Sequence, residues 1–215
     1  MKIILTILAL SVAMTACSPA EVDFDTLQDR NGVKYQPNNE VGFTGRAVSF
    51  RENGQKKSEV NYKDGKRDGL ETWWYKNGNG QKNSEDYFKD GEIRLETVWY
   101  ENGQKARETN FKDSKKDGLE TWWHENGQKQ SETNYKDGRN AGALYIGWYE
   151  NGQKKSEVNL KDGELDGLHI GWYENGQKKS ETNLKDGKLD GLRIEWDKNG
   201  QKKSETNYKD GKPID

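Results

Sequence analysis

The side chains through which this chain could do chemistry recur at a fixed interval. Glu59, Glu85, Glu108, Glu132, Glu157, Glu181 and Glu205 form one row, and Ser58, Ser84, Ser131, Ser156, Ser180 and Ser204 form another. Paired carboxylates can divide general acid and general base work between them. Each of these Glu residues, however, has Lys or a polar residue beside it, the pattern of a solvated ladder of cross-strand ion pairs. A serine nucleophile needs a base within hydrogen-bond reach. The only histidines are His124 and His169, two repeats apart and in no constant relation to the serines. Asp64 with Asp68, Asp162 with Asp166 and Asp186 with Asp190 place two acids in a turn, whereas calcium takes roughly six to eight oxygens. They read as turn formers. The sequence therefore predicts neither an enzyme nor a cofactor or metal site.

The repeat that positions these residues has the Gly of Asn-Gly-Gln-Lys as its landmark: Gly54, Gly80, Gly103, Gly127, Gly152, Gly176 and Gly200. A fixed period of this length means stacked supersecondary units. Asn-Gly between alternating runs predicts a hairpin tip with a type I′ turn, in which both central residues take positive φ. Four residues before the Gly, or six at the lengthened tip of Gly80, stands a large aromatic each time: Phe50, Trp74, Trp99, Trp123, Trp148, Trp172 and Trp196. Two and four residues earlier come rows of Thr or Ile and of Leu, typified by Thr72 and Leu70, so the three rows share one strand face. After the tip, Val60 and Tyr62 and their counterparts obey the same alternation. Each unit thus reads as a hairpin with one apolar and one polar face, the aromatic row being structural and buried. The returns, such as Lys63 to Gly69, carry two Asp-Gly steps and both read as tight turns. Gly78-Asn79 is inserted at one tip, Ala143 adds a residue and suggests a bulge, and Gly91 to Leu95 is one residue short. The expected fold is all-β: an elongated, twisted, single-layer antiparallel meander of about seven hairpin repeats of 23–26 residues.

Bulk composition alone points the other way, since Leu, Ile, Val and Phe supply 35 of 215 residues and mean hydropathy is -1.26. A net charge of -2 and eight Trp at set places in the period favour a folded polar array. Lys and acidic residues are interleaved throughout, which leaves no basic face for nucleic acid.

Residues 1–16 have the shape of a signal peptide: Lys2, then an apolar run from Ile3 to Met14 too short to span a bilayer. Met14-Thr15-Ala16-Cys17 resembles a bacterial lipobox, which implies cleavage before Cys17 and a lipid-carrying N-terminus. Cys17 is the sole cysteine, so the lipid on it is the expected membrane attachment. Ser18 in the next position resembles the signal for an outer-membrane, envelope address. Residues 17–40 read as a solvated tether merging into an imperfect first hairpin, with strands between Leu27 and Tyr35 around Asn31-Gly32. Residues 41–215 form the repeat domain.

The unit Trp-Tyr-Glu-Asn-Gly-Gln-Lys-Lys-Ser-Glu followed by Tyr-Lys-Asp-Gly-Lys-Leu-Asp-Gly-Leu resembles the MORN-repeat variant family, from about Leu27 to Lys212. Phe43-Thr44-Gly45 resembles that family as well. The YwqK-type members are described as antitoxin or immunity-like proteins and are often bacterial lipoproteins. The resemblance implies a scaffold that neutralises a toxin by binding it.

A second set of aromatics falls on the nominally polar face: Trp73, Tyr75, Tyr100, Trp122, His124, Tyr149 and Tyr173. They either pack across strands or form a partner-binding face, because exposed aromatics rimmed by charge mark partner surfaces. Two binding readings stand. One is a protein-binding scaffold. The other is a cell-wall or glycan-binding module, since Gly147-Trp148-Tyr149 and Gly171-Trp172-Tyr173 distantly resemble choline- and cell-wall-binding repeats.

Overall fold

A computed structural model describes residues 20–77, 80–140, 144–161 and 164–214. The leader and Cys17, the insertion at Gly78-Asn79 and the extra Ala143 lie outside the described residues. Three short strands come first: β1 (Glu21–Asp23), β2 (Gln28–Arg30) and β3 (Val33–Tyr35). The hairpins follow as β4 (Gly45–Phe50), β5 (Lys56–Lys63), β6 (Lys66–Trp74), β7 (Lys82–Lys89), β8 (Glu92–Trp99), β9 (Lys105–Lys112), β10 (Lys115–Trp123) and β11 (Lys129–Lys136). The array continues through β12 (Arg139–Asn140), β13 (Leu144–Trp148), β14 (Lys154–Lys161), β15 (Glu164–Trp172), β16 (Lys178–Lys185), β17 (Lys188–Trp196), β18 (Lys202–Lys209) and β19 (Lys212–Ile214). From β4 onward each strand pairs antiparallel with its sequence neighbours, except that β12 and β13 both pair with β11; with β1 this gives one 17-stranded layer that does not close into a barrel.

The two loop types exchange the roles expected of them. At the Asn-Gly tips the Gly54 amide donates to the Arg51 carbonyl at 2.8 Å and Gly54 has φ 80°, while Asn53 keeps negative φ. This is a three-residue loop, a type I turn closed by a left-handed Gly, not type I′. Asn is there for its side chain: Asn102 Oδ1 accepts the Gln104 amide at 2.9 Å, and its Nδ2 donates to the Glu125 carbonyl of the next tip at 2.7 Å. The type I′ turns are the first Asp-Gly steps, with Asp64 at φ 50° and Gly65 at φ 77° between paired Lys63 and Lys66.

The second Asp-Gly step is no turn. Tyr62 pairs with Arg67 and Val60 with Glu71, so Asp68, Gly69 and Leu70 bulge opposite the single residue Asn61. The bulge leaves the Leu70 carbonyl without a ladder partner, and Asn61 Nδ2 reaches it at 2.6 Å. Asn110, Asn159 and Asn183 mend the equivalent bulges at Leu119, Leu168 and Leu192. Where the return is one residue short, Tyr87 replaces Asn and pairs with Leu95, and only Arg94 is unmatched.

Register also corrects the expected faces. Val48, six residues before the landmark Gly, pairs with Glu59, five after it, and Ala47 pairs with Val60. Residues directly opposite share a face. The Leu-Thr-Trp row therefore lies with Glu59 and Asn61, and the Val60-Tyr62 row lies on the other face with Glu71 and Trp73. Both faces are mixed. Thr72, Thr97 and Thr121 are buried, the Trp row is half-buried, and Phe50, Leu70, Leu119, Leu144 and Leu192 stay exposed.

From Glu21 onward the expected tether is paired and packed on the array. β1 runs parallel to β4, pairing Val22 with Ala47, and Asn31-Gly32 turns β2 into β3. Leu27 and Phe43 fold over Ala47, Val60 and Tyr62, with Val22 and Phe24 against them. That cluster is the one fully sheltered apolar core among the described residues, and it covers the end of the Val60 face.

Candidate partner-binding surface

Most of the recurring motif is consumed in joining one hairpin to the next. The hydroxyl of Tyr75 donates to the Trp99 carbonyl at 2.6 Å, Tyr100 to Trp123 at 2.7 Å, Tyr149 to Trp172 at 2.9 Å and Tyr173 to Trp196 at 2.9 Å. His124 Nε2 stands 3.3 Å from the Trp148 carbonyl in the same relation. Five of the seven aromatics singled out in the sequence thus line one edge, each reaching to the following unit. Their ring faces remain partly open to solvent, and Lys155 and Lys179 lie over the rings of Tyr149 and Tyr173.

The Trp row is bound in from the opposite direction. Lys56 lies 5.2 Å from the Trp74 ring centre, and Lys82, Lys105, Lys129, Lys154 and Lys178 repeat that contact on Trp99, Trp123, Trp148, Trp172 and Trp196. The same Lys residues pair with the Glu three places on, as Lys56 with Glu59 at 2.7 Å and Lys154 with Glu157 at 2.7 Å. These ion pairs run along a strand, not across strands as the spacing predicts. At the other edge the bulge acids staple consecutive turns. Asp68 accepts Lys89 Nζ at 2.9 Å and the Asp90 amide at 3.2 Å, which holds its carboxyl below the ordinary range. Asp117 with Lys136 and Asp190 with Lys209 do the same.

Trp73 and Trp122 are the two members of the candidate set that these ladders leave on the open sheet. Both lie on the Val60 face at 37% exposure, on β6 and β10, four strands or about 19 Å apart. The Trp73 indole donates to Glu71 Oε1 at 3.0 Å, and the Arg107 guanidinium covers the Trp122 ring at 5.1 Å. Glu120 beside Trp122 is buried, which raises its pKa, but Lys116 at 2.6 Å, Trp122 and Thr109 outweigh that and hold it ionised below its ordinary value. Each Trp is thus an apolar plate fixed by a charged neighbour. Such plates can anchor a partner side chain without reorganising.

The C-terminal part of this face carries a feature the sequence reading missed. Leu165, Leu184 and Leu189 line a groove of about 550 Å³ that also touches His169, Arg193 and Lys203. Burial holds His169 below its usual pKa. The signal lay in the sequence: Leu stands where Arg67 and Lys116 stand in earlier units, a difference visible only once the units are aligned on the bulge.

A family model described as MORN repeat variant matches residues 43–64, 95–113, 116–137, 143–162, 165–186 and 189–210. No curated protein matches the chain. The matched segments skip 65–94, the stretch that contains the tip insertion, Asp86 and the shortened bulge. Each complete match is one hairpin around an Asn-Gly tip, and together they span more than half of the sequence, so the chain belongs to the MORN repeat variant family.

Proposed function

We propose that this chain is an envelope-anchored repeat scaffold that binds a protein partner, an immunity-type protein that neutralises a toxin by holding it. Lipid on Cys17 attaches it to the outer membrane, and the partner meets the Val60 face. The observation that carries the reading is the pair Trp73 and Trp122. The Tyr row, the Trp row and its Lys partners are engaged in joining repeats, while these two present partly open indoles on the Val60 face, each beside a charged neighbour. Large aromatics dominate the energetics of protein interfaces. The resemblance to YwqK-type proteins supports the toxin as the class of partner.

The test compares the parent chain with a Trp73→Ala/Trp122→Ala variant whose circular dichroism is unchanged. A protein identified from envelope extracts should bind the purified parent, lose at least tenfold in affinity to the variant, and be less toxic to cells when co-expressed with the parent. Retention on purified peptidoglycan, with no protein partner sensitive to the two Trp residues, would replace the proposal by the glycan-binding reading. Cys17→Ala should release the chain from membranes; unchanged membrane association would sink the anchoring claim.

A further inference from the structure

The Val60 face is covered at one end and open at the other. Leu27 and Phe43 pack on Ala47, Val60 and Tyr62, with Val22 and Phe24 against them; the segment 20–29, which runs beside β4 as β1 and then turns over the cluster, also carries Glu21, Asp23, Asp25 and Asp29. Two of its acids are paired, but not by cations of that face: Glu21 with Arg46, which lies with Glu59 on the other face, and Asp29 with Lys34 of its own hairpin at 3.4 Å. This end of the face is therefore covered by apolar side chains, in part from a segment that also carries acids.

In the middle of the array the same strip is closed by long cations. Arg67 lies 4.5 Å from the Phe88 ring centre and Lys116 4.9 Å from that of Tyr135. In the C-terminal units Leu165 and Leu189 replace those cations and pair with Leu160 and Leu184. An apolar strip results, half-buried with nothing of the described chain over it. Along the tip side of that strip stand Lys179, Arg193 and Lys203, with Glu195 already bound to Arg193. Leucines on one side and excess positive charge on the other suit an acidic segment that carries apolar residues.

We infer that the groove over Leu165, Leu184 and Leu189 binds an extended acidic peptide of a partner protein, with alternating apolar residues on the leucines and its carboxylates on Lys179, Arg193 and Lys203. This rests on the reading of the chain as a protein-binding scaffold and names a site and a partner chemistry for it. The groove crosses β15 to β18, about 14 Å, which accommodates about four residues of extended chain. A free peptide of that kind pays its ordering entropy on binding, so micromolar affinity is the expected scale.

The probe is a fluorescent synthetic peptide with the sequence of residues 20–29, titrated into the full chain and read by anisotropy. Binding should weaken at least tenfold with Arg193→Ala, and likewise with Leu189→Ser. It should also weaken at least tenfold when the peptide's Asp and Glu are replaced by Asn and Gln. Circular dichroism confirms that each variant keeps its strands. Absence of binding up to millimolar peptide, or affinity indifferent to both variants, would overturn the inference. So would Arg193-dependent binding of phosphatidylglycerol vesicles without peptide binding, because the groove would then serve a lipid surface. The outcomes separate from those of the scaffold test: a protein captured through Trp73 and Trp122 alongside a silent groove refutes only the groove.

Discussion

Replacing Asp86 by Thr should make the chain more stable at neutral pH and leave it nearly unchanged at pH 4. Asp86 occupies the row that is Val or Thr in the other units, and its neighbours across both strand pairs are Glu71 and Glu96. Burial first, then repulsion from Glu96 and Glu71, pushes its pKa from 3.8 up to about 6, against the pull of Arg67 and Arg107. One of its oxygens, Oδ1, is buried without a hydrogen-bond partner. A carboxyl whose pKa is higher folded than unfolded contributes its full stability only below the unfolded value, and loses it as pH rises through the folded one. The interval from 3.8 to about 6 corresponds to roughly 3 kcal/mol for a fully sequestered group. Asp86 is only half-buried, so screening reduces the cost to about 1–2 kcal/mol. Thr removes that cost, suits a strand, and offers a hydroxyl to the neighbouring carboxylates, as Thr109 does to Glu120 at 3.1 Å. The assay is urea unfolding followed by Trp fluorescence at pH 7.5 and pH 4, parent against variant, with circular dichroism as a second probe of cooperativity. A gain of the same size at both pH values, or a loss at pH 7.5, would refute the electrostatic reasoning.

Three other substitutions test the local chemistry. Ser114 takes φ 59° in a type I′ turn where the equivalent residues are Gly, so Ser114→Gly should stabilise by about 1 kcal/mol in the same urea assay. Tyr100→Phe removes the 2.7 Å bond to the Trp123 carbonyl; a loss of about 1 kcal/mol and faster amide exchange at the tip are expected, and unchanged exchange would mean that water replaces the hydroxyl. Asn110→Ala should cost about 1 kcal/mol because Nδ2 mends the bulge at Leu119, whereas Tyr87→Asn should gain nothing, since the pairing there lacks the three-residue bulge. Equal effects at both positions would show that the Asn does not act through the bulge.

The repeat is unusually legible because strand alternation and turn formation are local. The Asn-Gly and Asp-Gly steps mark the chain reversals, and the aromatic spacing marks strand faces within each strand. Turn type was harder to read. Asn53 was expected to adopt positive φ, but Asn at the tips acts through its side chain, bonding two residues on and across to the next tip. Asp68-Gly69 looks like Asp64-Gly65 in sequence, yet the first two-residue turn already reverses the chain, leaving the second step to be absorbed as a bulge. The candidate surface shows the same division. Tyr75, Tyr100, Tyr149 and Tyr173 could be picked out as a row, but their hydroxyl partners lie 23 or 24 residues away, beyond any local pattern.

By itself the sequence determined the period, the alternation within each strand and the family, since each depends on residues within about two dozen positions. Only the tertiary structure decided which rows share a face. That depends on the phase between strands, and an extra residue in a loop or bulge moves a whole row relative to its neighbour. The pairing of Val48 with Glu59 divides the apolar rows between two mixed faces. It sets Trp73 and Trp122 with the Val60 row, and it brings Leu165, Leu184 and Leu189 from three different strands into one open groove.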